Sequence, residues 1–246
     1  MRILGVIPAR YESSRFPGKP LIDIAGKSMI QRVYEQCLKS SSLNKVIVAT
    51  DDQRIADHVK LFGGNVALTS NKHQSGTDRC AEVAINYPEF DVLVNIQGDE
   101  PMIDPHQIDL LCKCFENPET LIATLVKKIS SNEELFNENT PKVILNKNKE
   151  AVLFSRTTIP FLRGRAKETW IEHYTFYKHI GIYAFLTETL KALTKLPVSV
   201  LESAEALEQL RWIENGYRIQ AAITDKEIQA IDTPEDLEKL LKLIQP

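Results

Sequence analysis

The sequence predicts an α/β fold: a body built on a parallel sheet with helices on both faces. Three observations carry this. Short, nearly continuous apolar runs at residues 3–7, 45–50 and 91–96 read as strands buried on both faces. Stretches of helical period lie between them. Strand and helix alternate at βαβ spacing as far as Phe115, and right-handed crossovers then set the ends of the first and fourth strands on one rim of the sheet.

The chain opens on strand 3–7, and the apolar run stops at Pro8. The loop that follows carries three permanent cations, Arg10, Arg15 and Lys19, around Pro17 and Gly18. Open α/β sheets bind ligands at the C-terminal ends of their strands, and cations gathered there select an anion, phosphate first. A solvated basic loop is the plainer reading. Residues 27–39 form the first helix, with Met29, Ile30, Val33 and Cys37 on its apolar side, and 45–50 the second strand. Asp51 and Asp52 suit the positive end of a helix that runs to Phe62, where Gly63-Gly64 stops it. Residues 65–68 are a third strand. A polar loop, 69–76, leads into a helix over 78–87. The fourth strand, 91–96, is followed at once by Gln97-Gly98-Asp99-Glu100-Pro101, and Asp104 starts a helix to Phe115.

After Thr120 the strands shorten, at 121–127, 142–145 and 152–155. The polar link 146–150 joins the last two as a hairpin. A basic loop at 163–167 and a strand-rich segment at 174–185 follow. Residues 187–196 and 203–214 read as helices and 217–223 as a strand. Thr233 caps the last helix, with Pro234 at its first position and Asp236 near its third. No repeat, low-complexity tract or clean boundary appears, so 1–246 reads as one body with a flap at about 120–200.

The chain has 246 residues and a net charge of −3, so nothing global points to nucleic acid or an anionic membrane, and any anion site is local. No apolar run can span a bilayer. The N-terminal run is too short for a signal peptide and is interrupted by Arg10, so a cytoplasmic location is expected. The four cysteines are scattered. Cys112 and Cys114 are two apart on a predicted helix and face different ways, which suits reduced core thiols rather than a shared metal.

Four further stretches can carry chemistry. Asp99, directly after a buried strand, projects over the sheet rim. It can hold Mg²⁺, which takes one or two carboxylates and fills its octahedron with phosphate and water. The alternative is that Asp99 and Glu100 only start a turn. At His73–Arg79, backbone N–H groups with Ser75 and Thr77 can receive a base carbonyl or phosphate, or Ser75 and Thr77 simply cap the helix. In 179–183, alternation puts His179, Gly181 and Tyr183 on one face. A lone histidine beside an aromatic reads as structural, so the residues alone give His179 no acid–base role. Asp232, before the last helix, serves the helix dipole or joins Asp99 at a metal. His58 and His106 read as surface, Trp170 and Trp212 as packing, and Lys147 and Lys149 as a solvated turn.

Seven motifs then occur in order: PARYESSRFPGKPL, HQSGTDR, NIQGDEP, FSRTTIP, HIGIY, LEQLRW and IDTPEDL. Together they resemble the 3-deoxy-manno-octulosonate cytidylyltransferases over residues 2–237. Asp78 departs mildly, since the family more often carries Glu there, and 162–177 matches only loosely. The resemblance implies an α/β, Rossmann-like, nucleotide-diphospho-sugar transferase (glycosyltransferase-A-like) fold with a mostly parallel central sheet and a smaller sugar-binding and dimerisation part. It implies transfer of CMP from CTP to Kdo with release of pyrophosphate, Mg²⁺ as cofactor, and a cytoplasmic homodimer supplying lipopolysaccharide synthesis. It assigns Arg10 and Lys19 to the triphosphate. Pro8, Ala9, Gln74 and Ser75 fall to cytosine and ribose, with Arg79 supporting them. Asp99 and Asp232 fall to the metal. Gln97, Arg156, His179, Tyr183, Glu208 and Gln209 fall to Kdo, and Arg15 to either ligand. A cytidylyltransferase resembling CMP-sialic acid synthetases is the rival, but its opening loop differs. A non-catalytic nucleotide sensor would not need the two carboxylates. A P-loop kinase ranks third, because Gly18-Lys19 lacks the first glycine and the Ser/Thr.

Overall fold

The computed structural model describes residues 1–12, 16–227 and 230–244. The chain gathers into two compact units, Met1–Asp109 with Ile228–Pro246, and Leu110–Glu227. The second takes in the segment 120–200.

The first unit is the expected parallel α/β body. β1 (Ile3–Ala9) is buried at Leu4, Val6 and Ile7. It extends two residues beyond the predicted stop, since Pro8 pairs with Ala49 and Ala9 with Thr50. The proline is tolerated for a local reason. Val6 turns its carbonyl toward Ile96 N–H on the other side, and that ladder ends at Val6 and Asn95. Pro8, two residues on, faces the same side, where no partner N–H···O bond is due. A small hairpin follows, β2 (Asp23–Ile24) with β3 (Lys27–Ser28), turning on Ala25 and Gly26 at φ 51° and 82°. It takes the first two residues of the predicted helix. α1 (Met29–Cys37) therefore starts at Met29, where the Ser28 hydroxyl accepts from Gln31 N–H.

β4 (Lys45–Thr50), α2 (Gln53–Leu61) and β5 (Val66–Leu68) lie where the pattern put them. Asp52 caps α2, and Gly63 at φ 77° follows its end. His58, expected at the surface, instead lies within 2.7 Å of the Ser28 hydroxyl and packs against Phe62. His106 is exposed as expected. α3 (Gly76–Asn86) opens on a reciprocal capping box between Ser75 and Asp78. β6 (Val92–Asn95) and α4 (Pro105–Cys112) follow. Within this unit the strand order is β6-β1-β4-β5, all parallel, so the ends of β1 and β6 share a rim.

In the second unit β7 (Ile122–Lys128) is followed by α5 (Asn132–Phe136) and then the predicted hairpin of β8 (Lys142–Leu145) and β9 (Ala151–Ser155). α6 (Trp170–His173) precedes β10 (Tyr177–Leu186), which pairs antiparallel with both β7 and β8. Two extra residues bulge between Ile180 and Tyr183. The insertion is even, so His179 opposite Val126 and Tyr183 opposite Thr124 stay on one face. α7 (Thr187–Leu193) follows. The single helix expected over 203–214 is two, α8 (Val200–Glu205) and α9 (Gln209–Glu214), because Ala206 takes the left-handed conformation at φ 49°. The buried face is set by this break. Leu207, Leu210 and Trp212 are buried, while Ala206 is exposed and Ile213 half-buried. β11 (Ile219–Thr224) runs parallel to β7, giving the order β11-β7-β10-β8-β9.

Trp212 sits edge-on to Tyr183 and Phe185, and Trp170 stacks on Phe176, so both indoles are packing residues. The buried Lys178 ammonium is held by Glu134 and Glu227, and the buried Lys142 donates to the Asn137 carbonyl at 2.8 Å. None of the four cysteines is in a disulfide. No helix among the described residues is long and apolar enough to cross a membrane.

α10 (Pro234–Ile244) closes the first unit. The Thr233 hydroxyl accepts from Asp236 N–H at 3.3 Å, which is the expected cap, and the Asp236 carboxylate in return accepts from Thr233 N–H and Oγ1 and from Asp232 N–H. Ile231 and Leu240 pack on Ile24 and Met29, so the body of the first unit seats this segment.

Candidate active site

In the first unit Lys19, Asp99 and Asp232, three residues expected at the site, come together beyond the C-terminal ends of β1 and β6. Lys19 is the hub. Its ammonium lies 2.7 Å from Asp99 Oδ2 and 3.1 Å from Asp232 Oδ1. These residues are 80 and 213 positions away in sequence. Asp99 follows β6, and Asp232 precedes α10. The two carboxylates would repel each other, and one cation between them offsets that repulsion. Lys19 is 14% exposed, Asp99 26% and Asp232 39%, so the cluster is shielded at the lysine and open at the acids.

The loop after β1 meets the loop before α3. Arg10 donates through Nη2 to the His73 carbonyl at 2.5 Å. A Cβ built on Gly76 would lie 3.5 Å from the Pro8 ring, so Pro8 rests against the start of α3 beside Ser75. Pro8, Ala9, Arg10, Gln74 and Ser75 therefore share one corner. Ser75 is committed to the capping box of α3 through both its hydroxyl and its backbone N–H, which donates to Asp78 Oδ2 at 3.2 Å, and so marks the helix's positive end. Gln74 is exposed and donates to the Lys72 carbonyl at 3.1 Å. Arg79 lies beneath this surface, fully buried. It donates to the Thr69 hydroxyl and approaches Asp51 at 3.1 Å, and burial pulls its pKa down. It ties the end of β4 to the segment after β5, a supporting position. Gln97 and Gly98 lead from β6 to Asp99. A Cβ on Gly98 would come within 2.7 Å of the Pro8 carbonyl, so only glycine lets this backbone pass. Arg15 lies outside the described residues.

Three residues of this unit were not picked out by the sequence. Glu100 is 6% exposed, and burial followed by the Asp99 charge pushes its carboxyl up to about 8. Asn95 is 5% exposed with its Oδ1 unpaired. Asp51 pairs with Arg79. The only signal for Asn95 and Glu100 was their place in the NIQGDEP run, since burial of a polar side chain leaves no periodicity to read.

The second unit assembles the other group. His179 Nε2 lies 3.0 Å from Thr124 Oγ1, its ring centroid is 5.1 Å from that of Tyr183, and Phe154 meets it edge-on. Burial drives the His179 pKa down to about 3, so the ring is neutral. The Tyr183 hydroxyl is buried beside Thr124, feels the charge of Glu208, and makes no well-aligned hydrogen bond. Burial and that charge hold it protonated. Gln209, at the start of α9, is 5% exposed with its Nε2 unpaired. Unpaired buried donors on facing elements are costly unless something polar binds there. Arg156 is differently placed. Its Nε donates to the Glu205 carbonyl at 2.6 Å and its Nη2 to the Ala206 carbonyl at 3.3 Å. The Glu205 carboxylate in return accepts from Ser155 Oγ and Arg156 N–H. Arg156 thus binds the left-handed break that lets α9 start at Gln209.

Among the described residues, no cluster of three or more His, Cys, Asp or Glu is arranged to hold a metal. Asp99 and Asp232 offer two hard carboxylate donors. That is the donor set of a Mg²⁺ site completed by phosphate and water rather than of a closed protein cage.

A family model described as cytidylyltransferase matches residues 4–228. A relative in Parabacteroides distasonis, "3-deoxy-manno-octulosonate cytidylyltransferase", is 56% identical, covering 99% of this chain and 98% of the relative. One of the same name in Thermodesulfovibrio yellowstonii is 46% identical over 95% and 94%. The solved structure of a CMP:2-keto-3-deoxy-manno-octonic acid synthetase complexed with CTP superimposes with a TM-score of 0.92 at 42% identity, covering 99% and 98% of the two chains. A 4-diphosphocytidyl-2C-methyl-D-erythritol synthase from Anaerococcus prevotii shares the fold at a TM-score of 0.64 and 11% identity.

Proposed function

The chain belongs to the 3-deoxy-manno-octulosonate cytidylyltransferase family, and from that premise we propose how its residues divide the reaction. It transfers CMP from CTP to the C2 hydroxyl of Kdo. The hydroxyl oxygen bonds to the α-phosphorus, the bond from that phosphorus to the pyrophosphate oxygen breaks, and the hydroxyl proton is released.

The observation that carries the division of roles is Lys19 set between Asp99 and Asp232. A polyanion arriving there meets one cation already preorganised by two carboxylates, with Arg10 close by at the end of β1. We assign Lys19 and Arg10 to the triphosphate. Pro8, Ala9, Gln74 and Ser75 take cytosine and ribose, with Arg79 holding their loop from below. Asp99 and Asp232 would hold Mg²⁺, which would neutralise charge on the phosphates. In the second unit Tyr183, Glu208 and Gln209 offer hydroxyl-matching donors and acceptors to the sugar. Neutral His179 acts as a hydrogen-bonding wall rather than a proton carrier, Arg156 fixes the start of α9, and Gln97 takes the sugar side after β6.

We further propose a cytoplasmic homodimer that supplies activated Kdo for lipopolysaccharide synthesis. Four cysteines outside any disulfide suit a reducing compartment. Phe161, 70% exposed, and Val152, 51% exposed, offer apolar surface for a second copy. Light scattering of the purified chain tests the dimer.

The test of the reaction is pyrophosphate release from CTP and Mg²⁺ with Kdo, with sialic acid, or with no sugar. Release only with Kdo supports this reading. Release only with sialic acid overturns the sugar assignment, and CTP binding without release under any condition supports a sensor.

A further inference from the structure

Lys19 reaches its two carboxylates from the start of a single 3₁₀ turn at the end of the loop after β1, rather than from a strand or an α-helix, so something must hold that turn. The structure shows what does. Tyr11 follows Arg10 directly, and its carbonyl accepts the Gly18 N–H at 2.9 Å, closing the two ends of the segment. Gly18, at φ 72°, lies flat against the Tyr11 ring, since a Cβ there would sit 3.3 Å from the phenol carbon and oxygen. Lys19 comes next and begins a single 3₁₀ turn, Lys19–Leu21, in which Pro20 is buried.

The ring is held by the Arg54 guanidinium, whose central carbon stands 3.3 Å from the ring centroid. That guanidinium is itself aimed. Its Nε donates to Asp52 Oδ1 at 2.9 Å and its Nη2 to Oδ2 at 2.6 Å, a two-point fork on the residue that caps α2. The sequence of supports is therefore α2, Asp52, Arg54, Tyr11, Gly18, Lys19. A planar cation stacked on an aromatic face combines electrostatic and packing attraction, and a fixed fork makes the arrangement directional.

Resting on the reading of Lys19 as a triphosphate ligand, we propose that Tyr11 and Arg54 form a positioning clamp for Lys19. Neither touches the reacting atoms. The clamp sets where the Lys19 ammonium stands before CTP arrives, so the nucleotide does not have to order the loop on binding. Ordering charge before the ligand comes is worth affinity and rate, because a displacement of about an ångström at such a group costs up to 100-fold.

The test is calorimetric CTP binding to the full-length chain, with kcat and KM for CTP measured alongside. The variants are Tyr11→Phe, Tyr11→Ala, Arg54→Met, Lys19→Ala and the double variant Tyr11→Ala/Lys19→Ala. The clamp predicts that Tyr11→Ala weakens CTP binding roughly five- to tenfold. Tyr11→Phe keeps the ring and stays within about twofold of the parent, and Arg54→Met falls between them. In the Lys19→Ala background, Tyr11→Ala adds less than about twofold, because its effect runs through Lys19. An undiminished penalty in that background overturns the proposal, as does Tyr11→Ala binding CTP like the parent. If Tyr11→Ala does not fold, Arg54→Met decides, since it leaves Tyr11 in place: parental affinity there overturns the clamp. Failure of the functional reading shows separately, as a parent chain that binds CTP but releases no pyrophosphate with Kdo.

Discussion

The backbone N–H of Ile231 donates to the carbonyl of Asp99 at 2.9 Å. This bond ties the loop after β6 to the segment before α10, so Asp99 and Asp232 reach Lys19 from strands of backbone that are already joined. The packing of Ile231 on Ile24 and Met29 fixes the second segment from the other side. The acidic pair is thus placed by the fold of the first unit, and Lys19 completes it.

Gly98 should be intolerant of any side chain. A methyl group there would fall 2.7 Å from the Pro8 carbonyl oxygen, a backbone atom that cannot swing away. Gly98→Ala is expected to cost about 1–3 kcal/mol in urea unfolding. It should also lower kcat, because the displaced backbone carries Asp99.

His179 makes stability pH-dependent. Burial sets its pKa at about 3 in the fold, against about 6.5 in an unfolded chain. Below pH 6.5 the unfolded chain takes up a proton that the folded ring refuses, so stability falls as pH drops from 6.5 toward 3. Part of the residue remains accessible to solvent, which reduces the effect to about 1 kcal/mol by pH 5. Denaturant midpoints of the parent and of His179→Gln from pH 7.5 to 5 check this: the parent loses stability more steeply, and equal slopes would refute it.

Ala206→Gly should stabilise the protein. Ala206 sits at φ 49° and ψ 49°, where its Cβ is strained and glycine is not. The expected gain is about 1 kcal/mol, or a rise in Tm of about 2–4 °C. Turnover should be retained, since the carbonyl that receives Arg156 stays in place.

Much of this fold was legible because its signals are local. The buried strands 3–7, 45–50 and 91–96, the Asp52 and Thr233 caps, and the 146–150 hairpin turn all follow from residues within a few positions of one another. The break at Ala206 was not legible, because alanine is the best helix former and nothing adjacent argues against continuing. What bends the chain is Arg156, fifty residues away, taking the carbonyls of Glu205 and Ala206. The hairpin at Ala25-Gly26 hid in the same way behind the apolar pattern of α1. The extension of β1 through Pro8 depended on which side of the strand lacked a partner. At the site, the motifs named Lys19, Asp99 and Asp232, but their convergence, the burial of Arg79 and Glu100, and the support of Tyr11 by Arg54 are tertiary facts with no sequence period.

The most direct test of the central claim, that Asp99 and Asp232 form one functional pair around Lys19, is kcat for Kdo-dependent pyrophosphate release in Asp99→Asn and Asp232→Asn, with thermal unfolding as the fold control. Each substitution keeps shape and removes one charge. The account predicts that both lower kcat by about 100-fold or more while the fold stays intact. Near-parental turnover in both folded variants would contradict it.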